Sequence, residues 1–95
     1  MKISEDKLIV QHNRKQQRFE IIVDGKTALA EYSINGNTMI FTHTETPDEM
    51  RGNGIASKIA KTALDYAREY NYIVKPACSF FRDFIASTPE YQDLL

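Results

Sequence analysis

The stretch Thr46-Pro47-Asp48-Glu49-Met50-Arg51-Gly52-Asn53-Gly54-Ile55-Ala56 joins a β-type run to a long amphipathic helix and places two glycines at the junction. A helix start leaves about four backbone N–H groups without intrahelical partners, and the helix dipole adds about half a positive charge there. A phosphate suits both features. Gly52 and Gly54 lack the Cβ atoms that would hold a phosphate off the main chain, and they accept dihedrals closed to other residues. By itself, Arg-Gly-x-Gly is equally the turn ahead of an ordinary helix. Two commoner phosphate loops are excluded. No Gly-Lys-Ser/Thr follows, and both the third glycine and the upstream βαβ unit of the dinucleotide fingerprint are missing.

Upstream of the loop, Phe19, Ile21 and Val23 alternate with Glu20 and Ile22, the period-two pattern of a half-buried strand. Asp24-Gly25 reads as a hairpin turn, because the favoured two-residue turns need positive φ angles. Ala28, Ala30, Tyr32 and Ile34 alternate again before a second turn signal, Asn35-Gly36, and a third strand runs from Thr38 to Glu45. Leu8-Ile9-Val10 reads as an initial edge strand, residues 11–17 as a polar loop, and His12 within it as solvated.

Downstream, Ile55, Ile59, Ala63, Tyr66, Ala67 and Tyr70 recur at spacings of three and four over residues 54–70, which predicts an amphipathic helix packed on a sheet. Ile73-Val74-Lys75 is a short strand. A helical crossover of this length joins parallel neighbours with a right-handed connection. Pro76 cannot donate a ladder hydrogen bond, so pairing should stop or open there. Ser79 is placed to cap a helix to about Ala86, and Thr88 with Pro89 to start a final short one. The fold class predicted is therefore α+β: an antiparallel meander whose last strand lies parallel to the strand after the main helix. If that parallel pair splays, a slot opens between its ends.

Ninety-five residues make one domain, 1–95, with an adequate core. Twelve basic against 13 acidic side chains, net −1, argue against nucleic-acid binding through bulk charge. No run approaches the ~20 apolar residues of a membrane span, and the first residues lack the apolar core of a signal peptide, so a cytosolic protein is expected. The single cysteine, Cys78, agrees with a reducing compartment. Two histidines and one cysteine, widely separated, give no metal-ligand spacing.

Arg51-Gly52-Asn53-Gly54-Ile55-Ala56, entered from an extended run and followed by a helix, resembles the pyrophosphate loop of the GNAT-type N-acetyltransferases, which bind acetyl-coenzyme A. Phe41-Thr42-His43-Thr44-Glu45-Thr46-Pro47, Lys75-Pro76-Ala77-Cys78-Ser79 and Thr88-Pro89-Glu90-Tyr91 are similar to a small single-domain subgroup of that superfamily. The resemblance spans residues 15–95. It implies a GNAT-like mixed sheet, a pantetheine arm paired with main-chain groups of Thr44, Glu45 and Thr46, and further cofactor contacts at Met50, Arg51, Gly52, Asn53, Gly54, Ile55, Ala56, Ser79 and Phe80. Phe80 and Phe81 are expected to divide the work, one covering the cofactor and the other entering the core. The chain departs from the pattern at Glu49, where the superfamily usually carries Gln or Arg.

Three side chains are candidates for chemistry. Cys78 stands between a strand end and a helix start, where a sulfur nucleophile is favoured, although a free cysteine is as often a small buried hydrophobe. His43, placed by unbroken alternation on the face of Met39 and Phe41, is the side chain suited to accepting a proton near neutral pH; a packed core histidine is the competing reading. Glu45 is a second base or a solvated carboxylate. The parallel strands would bring residues 43–46 close to 75–78, allowing a Cys–His pair across the slot.

Two routes follow. The acceptor amine loses a proton to His43 or Glu45 and attacks the thioester directly, or Cys78 takes the acetyl group first. The superfamily mostly uses direct transfer. The implied function is an acetyl-CoA-dependent N-acetyltransferase, monomeric, acting on an unidentified amine acceptor. Larger members build the acceptor groove from helices between the first two strands, and here only a few polar residues lie there. The rival reading is a non-catalytic acyl-CoA-binding module, which needs the glycine loop but neither His43, Glu45 nor Cys78.

Overall fold

A computed structural model describes residues 2–95. Along the chain come β1 (Gln11–Asn13), β2 (Arg18–Val23), β3 (Lys26–Asn35), β4 (Thr38–Glu45), α1 (Ile55–Glu69), β5 (Ile73–Pro76) and α2 (Ser79–Ala86). Short 3-10 helices occupy Glu5–Lys7, Asp48–Met50 and Pro89–Leu94. The strands form one sheet in the order β1-β2-β3-β4-β5, antiparallel except for the final parallel pair. This is the mixed sheet that the residue pattern predicts.

Asp24 and Gly25 take φ angles of 51° and 77°, as a two-residue hairpin requires. In the next hairpin Asn35 still pairs with Thr38, so the turn is Gly36-Asn37, one residue later than read from sequence, with Gly36 at φ 61°. Glycine at the first central position of a hairpin loop is the reason.

One face of the sheet is covered. Phe19, Ile21, Ala28, Ala30, Tyr32, Met39 and Phe41 meet Ile59, Ala63, Leu64 and Ala67 of α1 in a single apolar cluster. Tyr66 of that helix stays half-buried, and Tyr70, expected on the same apolar face, is 58% exposed because it caps the helix at its last turn. Phe41 stacks on Phe81 of α2 at 4.1 Å, and Tyr91 Oη donates to Asp65 of α1 at 2.8 Å. Thus α2 and the C-terminal turn lie beside α1, with Tyr91 and Leu94 holding the end of the chain down and Leu95 exposed. No helix packs on the opposite sheet face among the described residues.

The N-terminal strand differs from the sequence reading. Leu8 is buried beside the first 3-10 turn and Ile9 is 63% exposed, whereas the polar residues Gln11, His12 and Asn13 pair with Glu20, Phe19 and Arg18. Ladder pairing uses main-chain groups, which an edge strand offers whatever its side chains. His12 is accordingly not solvated. It stacks on Phe19 at 4.0 Å, meets Tyr66 edge-on at 4.5 Å, and its Nε2 lies 2.6 Å from Tyr32 Oη.

Burial first, and then the Arg14 guanidinium, hold His12 below its ordinary pKa of 6.5. The unfolded chain therefore binds a proton that the folded one refuses, so stability is full above pH 6.5 and is lost as pH falls through the folded value. Urea melts between pH 7.5 and pH 5 should show this loss, and His12→Phe should flatten it. An unchanged slope in the variant would assign the acid sensitivity elsewhere. Glu20, on the open sheet face, is 5% exposed but satisfied by Arg18 Nε at 2.6 Å and Asn13 Nδ2 at 3.5 Å.

Candidate functional site

After β4 the chain turns through Asp48–Met50, and Met50, 1% exposed, anchors the following loop in the core. Gly52 and Gly54 take φ angles of 84° and 66°, in the left-handed region open to glycine. Gly54 is the N-cap of α1 and supplies no side-chain cap; the first helical bond is Lys58 N–H to Gly54 O at 3.0 Å. The N–H groups of Ile55, Ala56 and Ser57 precede that first bond and have no carbonyl of their own helix to reach. Successive main-chain N–H groups around left-handed residues make an anion-binding concavity.

Asn53 braces the loop rather than lining the opening. Its Oδ1 accepts from Ile3 N–H at 2.9 Å and its Nδ2 donates to Met50 O at 2.9 Å. Arg51, largely exposed, ion-pairs with Asp48 at 3.3 Å. Glu49 turns away to Lys26 at 3.8 Å, so the departure from the superfamily pattern does not put a carboxylate in the opening.

That opening is a groove of about 390 Å³ lined by Thr44, Thr46, Met50, Arg51, Gly52, Gly54, Ile55, Ala56, Ser57 and Phe80. Nine of these ten are residues the sequence reading names; Ser57 is the addition, and its place in the first helical turn was the signal for it. Phe80 lines the groove while Phe81 is fully buried, so Phe81 is the one of the pair that enters the core. Asn53, Glu45 and Ser79 do not line it.

The groove exists because β4 and β5 part. Their pairing runs from Thr38 with Ile73 to Phe41 with Pro76. The Phe41 carbonyl then accepts from both Ala77 N–H (3.0 Å) and Cys78 N–H (3.1 Å), which closes the ladder. Residues 43–45 pair only with β3, so the β5 side of that segment is an open strand edge. Cys78, rather than Ser79, is the N-cap of α2, and neither side chain makes a cap hydrogen bond.

A bulge decides which β4 side chains face the slot. Tyr32 pairs with Phe41 but the preceding Glu31 pairs with His43, leaving Thr42 as an extra residue. The alternation is reversed beyond it. His43 and Glu45 fall on the open outer face, with side chains 54% and 63% exposed and Nε2 3.6 Å from Oε1. Thr44 turns inward, opposite Ala30. The expectation that His43 shares the face of Met39 and Phe41 is thus corrected, and no Cys–His pair spans the slot. Cys78 instead lies 3.4 Å from Thr44, Sγ to Oγ1.

This architecture is that of a solved protein. The NMR solution structure of a GCN5-like putative N-acetyltransferase from Staphylococcus aureus superimposes with a TM-score of 0.75 at 27% identity, covering 93% of this chain and 87% of that one. The family model described as GCN5-related N-acetyl-transferase matches residues 18–94, and the chain belongs to that family. Among curated relatives, Protein NATD1 of Xenopus tropicalis is 32% identical over 84 residues, covering 84% of this chain and 76% of its own length. Protein NATD1 of Danio rerio is 31% identical over 91 residues, covering 93% and 83%.

Proposed function

We infer that the protein is an acetyl-CoA-dependent N-acetyltransferase. The observation that carries this reading is the meeting, in one groove, of the uncapped α1 start with its two left-handed glycines and the open edge of β4. The N–H groups at the helix start hold the pyrophosphate, and the β4 edge along Thr44, Glu45 and Thr46 pairs with the amides of the pantetheine arm, as an exposed strand edge pairs with an extended ligand. Bound acetyl-CoA supplies an activated acetyl thioester.

The chain's own residues divide two tasks. Thr44 and Cys78, in contact at the place where the strands part, border the thioester end of the slot. His43, with Glu45 beside it, accepts a proton from the acceptor amine on the outer face. Direct transfer is preferred to an acetyl-cysteine route because Cys78 has a hydroxyl neighbour and no histidine to take its proton.

Single-turnover assays with an alkylamine acceptor test this division. His43→Gln should lower the rate about 10²-fold, the usual worth of a positioned base, and leave acetyl-CoA affinity unchanged. Cys78→Ser should retain most of the rate. An acetylated Cys78 trapped by mass spectrometry on the time scale of turnover, with Cys78→Ser inactive, would replace direct transfer by the covalent route.

A further inference from the structure

The glycine loop has few supports of its own. Met50 and Ile55 bury its two ends in the core, but at Gly52 and Gly54 nothing lies within 4 Å of the place a Cβ would take, so neither is packed against a neighbour. Glycine also gives up more chain entropy on ordering than any other residue. The Arg51–Asp48 pair lies on the surface and adds little. Asn53 does more. Its Nδ2 donates to Met50 O at 2.9 Å and to Arg51 O at 3.3 Å, closing the loop on itself, and its Oδ1 accepts the Ile3 N–H at 2.9 Å from 50 residues away.

Ile3 belongs to a segment, residues 2–8, that precedes β1 and lies ahead of residue 18, where the family match begins. Ile3 and Leu8 are buried in the common core, and Glu5 pairs with Lys58 of α1 at 2.9 Å. The segment thus crosses the junction of loop and helix with one hold on Asn53 and another on Lys58. Segment and loop together line a cleft of about 500 Å³, so the tie between them is the hydrogen bond and not continuous packing.

We propose that Asn53 is a positioning residue for the anion-binding loop and that residues 2–8 act through it as a strap. Seated, the strap holds the N–H groups at the start of α1 in the arrangement that receives the pyrophosphate. The inference rests on the reading of the groove as an acetyl-CoA site. A loop already held in its binding arrangement loses less freedom when the ligand arrives, so the strap raises affinity. By linkage the effect is reciprocal, and bound acetyl-CoA stabilises the seated strap by the same factor.

Calorimetric titration of the full chain with acetyl-CoA, combined with amide hydrogen exchange, tests this. Ile3→Pro removes the N–H donor and should raise the dissociation constant about 5-fold, the worth of one intramolecular hydrogen bond. In an Asn53→Ala background the same substitution should add nothing, because the bond is already gone. In the unaltered protein, saturating acetyl-CoA should slow exchange of the Ile3 amide about 5-fold and leave the Leu95 amide, at the far end of the chain, as it was. A purely structural role for Asn53 would lower the melting temperature without linking Ile3 exchange to the cofactor. Unchanged Ile3 exchange therefore overturns the proposal, as does an equal loss of affinity from Ile3→Pro in both backgrounds. Absence of binding heat together with unshifted Gly52 and Gly54 amides would instead remove the acetyl-CoA site itself, and the proposal with it, so the two failures are distinguishable.

Discussion

Replacing Gly54 with valine should raise the dissociation constant for acetyl-CoA about 100-fold or more, close to 2.7 kcal/mol, while the protein remains folded. Gly54 sits at φ 66°, and a Cβ built there meets nothing within 4 Å, so the folded chain has room for the new side chain. The cost is conformational. A left-handed backbone angle is unfavourable for an L-residue by about 1–2 kcal/mol, and more for a β-branched one. Relief requires rotating the peptide that begins α1, which turns the N–H groups of Ile55 and Ala56 away from a common centre. Calorimetric titration gives the affinity and a thermal melt the fold. Wild-type affinity in a folded Gly54→Val would remove the pyrophosphate assignment, and with it both the enzyme reading and the acyl-CoA-binding alternative.

The largest loss of stability should come from Phe81→Ala. Phe81 is fully buried and stacks nearly parallel on Phe41, with centroids 4.1 Å apart and planes at 9°. Truncating a buried phenylalanine costs about 3–5 kcal/mol through lost transfer energy and the cavity left behind, a large share of what a domain of this size possesses. Phe41 is also the residue whose carbonyl receives Ala77 and Cys78, so the cavity opens against the hinge of the slot. Guanidinium melts should show the midpoint falling sharply, with acetyl-CoA restoring part of it because the ligand binds only the folded state. A loss below about 1 kcal/mol would mean that α2 is not held through this contact, the range expected of surface positions. Phe80→Ala, by contrast, removes a groove-lining ring and should affect binding more than folding.

Main-chain chemistry made most of the groove legible in the sequence. Gly52 and Gly54 announce left-handed backbone, a helix start announces free N–H groups, and Pro76 announces the end of a ladder; each is a property of one residue or of a few in succession. The same locality explains the strand and helix bounds, since period two and period 3.6 are read over short windows. The errors have the opposite character. Nothing in Gln11-His12-Asn13 distinguishes a polar loop from an edge strand, because what makes it a strand is the pairing partner at residues 18–20, and what makes His12 a packed residue is Phe19, Tyr32 and Tyr66 arriving from three other elements.

The bulge at Thr42 is the most consequential case. By itself the sequence determined a mixed sheet, a glycine loop at a helix start, and an opening where the parallel strands end, because turn propensity, hydrophobic period and the missing proline donor are local and additive. Only the tertiary structure decided which way the residues after Thr42 face. Seven residues of β3, Leu29 to Asn35, are matched against eight of β4 with Thr42 to spare, and the register is set by closing the core around Tyr32, Phe41 and Ala30. One extra residue moves every later side chain to the other face. It therefore gives Cys78 to Thr44 and leaves His43 and Glu45 on the open side of the sheet.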